Sequence, residues 1–272
     1  MRTVEPKFKV IGQTKLNRDA VVAYLIEMVN DLDLDTVTGF DFVKFMEQHA
    51  DVDDLTLLTE VMGRVCYRSW APGMNPNVTK VRSDTHQYIL NLIDSGHGSV
   101  FEHASINFVF WNVSRVFTHE LVRHRVGTAI SQESMRYVRL NDIPIWLPLE
   151  EMFAFGDEQE MEEASEFYKD VEEVLLLMER KQEKWATKWS LDDAATSFNR
   201  KKINTSFLRR FFSPTGVATQ MGWTCNVREL RWIIKQRTSL GAEAEMIEVF
   251  NAVLKECVGN WPMLFGDLVT AS

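Results

Sequence analysis

Between His103 and Val113 the chain reads HASINFVFWNV, and Ala104, Ile106, Phe108 and Phe110 alternate with Ser105, Asn107, Val109 and Trp111. Period two with aromatic and β-branched side chains predicts a strand with one buried face. The period then changes. Val113, Phe117 and Leu121 recur every four residues, which predicts a helix through roughly 114–124 with Ser114 as its N-cap.

The same reading places helices near 18–30, 54–63, 84–95, 226–237 and 242–257, and a long, charged surface helix over 158–190. In the last, EQEMEEASEF reads as a solvated face. GHGS at 96–99 breaks the pattern, and NDLDLD at 30–35 reads as an acidic turn. ESMRYVRLNDIPIWLP, residues 133–148, predicts a second strand running into a proline-bounded turn. TGVATQMGWTCN, residues 215–226, fits a strand or a buried helix equally. No internal repeat or low-complexity linker interrupts the chain. The expectation is an α+β fold in one domain, 1–272, with helices around a modest, mainly antiparallel sheet.

Composition narrows the function classes. With 272 residues and 45% hydrophobic content, a sizeable core is expected. A net charge of −9 argues against a general nucleic-acid binder or a binder of anionic membranes. Three cysteines suit a reducing compartment, and no stretch approaches a membrane span, so a cytoplasmic protein is expected.

Against this acidic background the arginines are clustered. Arg115, Arg123, Arg125, Arg136 and Arg139 crowd one stretch, and Arg209, Arg210, Arg228, Arg231 and Arg237 follow later. Guanidinium groups suit bidentate recognition of phosphate or of an anionic ring edge. The intervening VGTAISQES reads as a loop able to bring backbone N–H groups to a phosphate. A nucleotide or phosphorylated-cofactor site is therefore expected. The competing account is a cluster of helix-end cations offsetting the helix dipole and paired with Glu102, Glu120 and Glu133.

HELVRH, residues 119–124, invites a zinc reading. His119 and His124 are five residues apart, so on a regular helix they point about 140° away from each other. They cannot close on one ion, and Cys66, Cys225 and Cys257 are too dispersed to help. No metal site is expected. There is also no G-x-G-x-x-G turn and no Walker loop.

RHRVGTAISQESMRY resembles the signature of the flavin-dependent thymidylate synthases: Arg123, His124, Arg125, a spacer, then Ser134, Met135, Arg136 and Tyr137. SGHGSVFEHASINF, LRRFFSPTG and WTCNVRELRWIIKQR resemble three further segments of that family in the same order. The spacer is one residue longer than usual for the family. Trp232 stands where some relatives carry asparagine, and SLGAEAE follows Arg237 where some carry histidine. Residues 1–52 resemble an N-terminal extension and 150–200 a variable helical region.

The resemblance implies a homotetramer whose active sites take residues from more than one chain. It implies conversion of dUMP to dTMP, with carbon from 5,10-methylenetetrahydrofolate and hydride from FAD that NADPH has reduced. Arg237 is implied as the catalytic group, facing the uracil edge and favouring the N3 anion. FAD contacts carry over to Ser99, Glu102, Arg123, His124, Arg125, Gln132, Asn226, Arg228 and Trp232. Nucleotide contacts carry over to Glu120, Arg123, Gln132, Glu133, Ser134, Met135, Arg136, Arg210 and Arg237, the phosphate falling to Arg136, Arg210 and Ser134. His97 is implied near the flavin and the folate route. His103 reads equally as a satisfied core histidine.

Other functions compete. The cysteine-dependent thymidylate synthases need a proline-cysteine-histidine pattern that none of the three cysteines provides. A non-catalytic nucleotide-binding regulator would use the same arginines without turnover. A basic-helix nucleic-acid module is disfavoured by the net charge.

Overall fold

The computed structural model of the chain describes residues 1–31, 42–78, 80–139, 142–153 and 156–269. Part of the acidic turn at 30–35 lies outside the described residues. The fold is α+β. Strands β1 (Arg2–Thr3), β2 (Lys7–Gln13), β3 (Ser105–Ser114), β4 (Thr128–Gln132), β5 (Pro144–Ile145) and β6 (Ala218–Asn226) make two sheets. The larger has the order β2-β3-β6-β4. Its strands run antiparallel: Arg115 N–H donates to Val217 O at one end of the β3–β6 pair, and Val227 N–H to Ala104 O at the other. β1 and β5 form a separate parallel pair, with Arg2 opposite Pro144 and Thr3 opposite Ile145.

The helices are α1 (Arg18–Asp31), α2 (Phe42–Gln48), α3 (Asp54–Tyr67), α4 (Thr85–Asp94), α5 (Arg115–Leu121), α6 (Leu149–Met152), α7 (Glu158–Lys188), α8 (Phe198–Phe211), α9 (Val227–Arg237), α10 (Ala244–Asn260) and α11 (Pro262–Phe265). Their starts are written in the sequence. Asp53, Asp84, Ser114, Asp157, Ser197, Asn226 and Glu243 each stand at an N-cap, and each side chain accepts a backbone N–H three residues on. No helix among the described residues is long and apolar enough to cross a membrane.

Internal contacts gather the chain into two compact units. The first comprises Met1–Lys9, Val109–Arg123 and Ile130–Trp223. At its centre Phe110 meets Phe117 at 5.4 Å and Trp223 at 6.0 Å between ring centroids. Ala186, Leu191 and Leu208 bury the contact between α7 and α8.

The second unit comprises Val10–Phe108, His124–Ala129 and Thr224–Ser272. Leu25, Phe45, Leu57, Val61 and Trp70 form one of its cores. Buried beside them, Arg64 donates through Nε and Nη2 to Glu60 Oε1 at 2.8 and 2.6 Å. Arg64 also reaches the carbonyls of Ser69 and Arg82, both at 2.7 Å. Each nitrogen of that buried cation donates at least one hydrogen bond.

Three sequence expectations change here. The strand expected over 133–148 is reduced to the two residues of β5, Pro144–Ile145; the longer strand, β4, ends before it, and residues 135–137 form a turn. Pro144 and Pro148 cannot donate to a ladder, and Ser134 closes the strand by accepting from the Tyr137 and Val138 N–H groups. Helix α5 ends at Leu121, so Arg123, His124 and Arg125 occupy the following turn and are not a helix terminus. The ambiguous 215–226 segment is strand β6. The sequence reading passed over β2, whose exposures alternate along KFKVIGQ, and over α8, whose polar face masks its period.

Candidate functional site

In the second unit, His124 and the residues that follow it meet helix α9. Gly127, three residues after His124, has φ +64°, and a Cβ there would lie 2.0 Å from Asn226 Nδ2. Asn226 N–H donates to Gly127 O at 2.9 Å, while its side chain caps α9 through Glu229 N–H at 2.9 Å. Glycine is required here by backbone conformation and by close approach. The loop reading of VGTAISQES is corrected accordingly, because Thr128–Gln132 is strand and its ends are spent in the ladder with β6.

The turn is tied to the far end of α9 as well. Arg237 Nε donates to His124 Nε2 at 3.1 Å. On the other side of the ring, His124 Nδ1 stands 3.6 Å from Glu229 Oε1. Burial pushes the Glu229 carboxyl above its usual range, and Arg228 partly opposes the shift. The sequence reading did not single out Glu229. Its position three residues after the Asn226 cap was the available signal.

Ser99 and Glu102 lie on a 3-10 helix, Gly98–Glu102, that packs on α9. Glu102 accepts from Arg228 Nη1. A Cβ at Gly98 would lie 3.0 Å from Arg228 Nε, so the guanidinium rests on bare backbone. His97 Nδ1 is buried with no hydrogen-bond partner among the described residues. Arg125 and Trp232 are exposed, the latter by 55%. His103 is exposed at the end of the 3-10 helix, so its core reading is corrected.

The remaining predicted residues belong to the first unit, and Gln132, Glu133, Ser134, Met135 and Arg136 follow one another at the end of β4. Gln132 Nε2 donates to Thr118 Oγ1 at 2.8 Å, tying β4 to α5 beside the half-buried Glu120. Glu133 N–H donates to Gln220 O, and Glu133 O accepts from Arg115 Nη2, both at 2.9 Å. Ser134 Oγ accepts from Arg136 N–H at 3.2 Å, which shapes the turn through the half-buried Met135. Arg123 and Arg136 are exposed, as is Arg210 in the last turn of α8. Tyr137 stacks on Phe198 at 5.8 Å, and Lys202 Nζ lies 5.1 Å from its ring centroid. A hydrogen bond from Lys202 lowers the Tyr137 hydroxyl below its usual range.

Arg209, next to Arg210, is fully buried, and its three nitrogens have no hydrogen-bond partner among the described residues. Burial lowers its pKa to about 10; Arg115 adds to the effect and Glu133 opposes it. Arginine stays protonated across the working range, so the shift reports the cost of burying the cation. The sequence showed Arg115 and Arg209 only as members of a cluster, because burial cannot be read from residue type. A cavity of about 350 Å³ lined by Arg139, Gln182, Asp192 and Leu208, among others, contains none of the predicted site residues.

With this geometry in view, the family profile described as thymidylate synthase complementing protein matches residues 50–263. The chain belongs to that family. It is 32% identical over 232 residues to the flavin-dependent thymidylate synthase of Mycolicibacterium gilvum (strain PYR-GCK), covering 85% of this chain and 86% of the relative. It is 31% identical over 225 residues to the protein of the same name from Mycobacterium avium (strain 104), covering 82% and 83%. In fold it is similar to the UMP/dUMP methylase PolB from Streptomyces cacaoi bound with 5-Br dUMP. The TM-score is 0.61 at 13% identity, over 99% of this chain and 97% of that one. The family match contains the Arg-His-Arg turn, β4, α9, the half-buried Arg115 and the buried Arg209.

Proposed function

We propose that this family member is a flavin-dependent thymidylate synthase. It converts dUMP to dTMP with 5,10-methylenetetrahydrofolate as carbon donor, FAD as hydride carrier and NADPH as reductant. The observation that carries the reading is the Arg237–His124 hydrogen bond, which joins the Arg-His-Arg turn to the end of α9. Two segments far apart in sequence, each matching the family signature, are one structure.

The residues fit a flavin. Arg125, Arg228 and Ser99 are accessible donors for phosphate and ring-edge oxygens, His97 Nδ1 is a buried polar atom with no hydrogen-bond partner among the described residues, and Trp232 offers an exposed aromatic face. When bound, FAD supplies hydride chemistry that amino-acid side chains lack. Ser99, Glu102, Arg123, His124, Arg125, Gln132, Asn226, Arg228 and Trp232 hold and orient it. Arg136, Arg210 and Ser134 bind the dUMP phosphate, with Glu120, Glu133 and Met135 around the nucleotide. Arg237 places a fixed positive charge at the uracil edge, lowering the cost of the N3 anion and so activating C5. No enzyme nucleophile is needed.

We infer a cytoplasmic homotetramer. Ile203, Phe207 and Phe211 recur every four residues on α8, are 50%, 45% and 65% exposed, and flank Arg210. An apolar stripe beside a ligand cation fits a subunit interface. The test is to titrate the purified chain with FAD and then supply dUMP, methylenetetrahydrofolate and NADPH. Flavin binding, bleaching by NADPH and dTMP formation are expected. A chain that binds dUMP but neither takes up FAD nor forms dTMP is a regulator instead.

A further inference from the structure

Asn226 and Glu229 stand at the cap and third positions of α9, the spacing of a capping box. In such a box the glutamate turns back to accept the N–H of the cap residue. Here that N–H is already taken, because Asn226 donates it to Gly127 O at 2.9 Å. The Glu229 carboxylate therefore has no capping task, and it faces His124 Nδ1 at 3.6 Å. His124 uses its other nitrogen as an acceptor. The Arg237 Nε–H can only donate, so His124 Nε2 carries no proton and the ring proton sits on Nδ1, on the glutamate side. A carboxylate in the first turn of a helix is also favoured by the helix dipole, which helps to keep Glu229 charged despite its partial burial.

We propose that Glu229 is a positioning residue for the reaction: it holds the His124 proton on Nδ1, so that Nε2 anchors Arg237 Nε and fixes the guanidinium plane. The inference rests on the reading of Arg237 as the uracil-facing cation. A guanidinium held at its Nε edge by an oriented ring keeps its direction. One hung on a rotating imidazole does not, and a mis-aimed donor loses most of its value in the transition state.

The test uses the full chain labelled with imidazole ¹⁵N at its 6 histidines. The His124 signals are assigned by their loss in His124→Gln, and the tautomer is read from two-bond proton–nitrogen correlations above the histidine pKa. The native chain should show the Nδ1–H form. Glu229→Gln keeps an acceptor and should keep that form, whereas Glu229→Ala should lose it. Glu229→Leu serves as a second variant should the alanine protein fail to fold. Single-turnover dTMP formation at saturating dUMP should fall roughly tenfold or more in Glu229→Ala, by analogy with the loss of a partner that orients a metal-bound histidine. Glu229→Gln should recover most of the rate.

An unchanged His124 tautomer in the folded alanine or leucine variant overturns the proposal. So does an altered tautomer with a native rate at saturating dUMP, provided that Arg237→Ala is inactive. If Arg237→Ala is itself fully active, the reading of Arg237 has failed, and the catalytic half of the proposal fails with it. The tautomer result does not depend on that outcome.

Discussion

Gly127 and Asn226 are packed so closely that a side chain at position 127 would have to occupy the same space as the asparagine amide. The hypothetical Cβ stands 2.0 Å from Asn226 Nδ2, and the backbone there is left-handed, with φ +64°. Gly127→Ala should lower the unfolding free energy by about 2–4 kcal/mol, combining backbone strain with overpacking. Gly73 gives the control: φ is +92°, yet beyond its chain neighbours no atom of the described residues lies within 4 Å of its Cβ position. Gly73→Ala should cost only about 1–2 kcal/mol. Urea unfolding of both variants checks the difference, and equal losses would remove the packing argument.

Arg209 should be a burden on the unliganded fold. Its folded pKa is lowered to about 10 from 12.5, chiefly by burial. For a base the sign is plain: the folded state disfavours the cation, the penalty is fully present below the folded value, and it shrinks as pH rises through it. Arg209→Met fills similar volume without charge and should raise stability at neutral pH by about 1–3 kcal/mol. Glu133→Gln should do the reverse, because Glu133 is the anion that opposes the shift of both Arg209 and Arg115. Thermal melts of both variants at pH 7 decide it, and a destabilised Arg209→Met would show that the cation has a partner after all.

The cysteines should be dispensable. Cys225 and Cys257 are buried, and burial pushes both thiols far above the range in which a thiolate forms. Cys66 alone is exposed. In the folded chain a disulfide-exchange reagent at pH 8 should therefore titrate one thiol quickly, and all 3 after denaturation. A variant carrying Cys66→Ser, Cys225→Ala and Cys257→Ala should still form dTMP. Complete inactivity of a folded, flavin-bound triple variant would restore a covalent mechanism.

Arg237 and Arg210 should fail in different ways. A hydrogen bond to a charged group contributes about 1.5–3 kcal/mol, or roughly ten- to a hundredfold in affinity. Arg210→Ala should weaken dUMP binding by about that factor and affect deoxyuridine, which has no phosphate, far less. Arg237→Ala should depress single turnover even at saturating dUMP, because its larger effect is in the transition state. Arg237→Lys should recover part of the rate, since a point charge lacks the planar fork. Measuring dUMP binding beside single-turnover rates, with flavin occupancy confirmed, separates the two.

Much of this was legible before the structure. The alternation along β3 and the four-residue recurrence in α5 predicted both elements, and Ala104, Ile106, Phe108, Phe110, Val113, Phe117 and Leu121 are all buried. Ser114 is the N-cap that its position predicted, accepting from Phe117 N–H at 3.0 Å. Strand β4 was misplaced because TAISQ is short and its one large apolar side chain, Ile130, is exposed, while the hydrophobic signal lay downstream in IPIWLP. The pairing of Arg237 with His124 crosses 113 positions, and no local period encodes it. Glu229 was hidden for another reason. Its spacing from Asn226 is that of an ordinary helix cap, and only the Asn226 N–H bond to Gly127 O, together with His124 standing 3.6 Å away, sets the carboxylate apart from a capping role.

Helix α9 also works as a ruler. Glu229 and Arg237 are eight positions apart, about two turns and 12 Å along the axis, and both reach the same imidazole. Arginine is long enough, and leans far enough toward the helix start, for His124 to bridge that length. One residue inserted or removed between them would swing one partner by about 100° and leave the histidine able to serve only one. Loops elsewhere can change length without touching this relation. In any redesign of the chain, and in any relative that uses the same bridge, the interval from glutamate to arginine is the dimension that has to stay fixed.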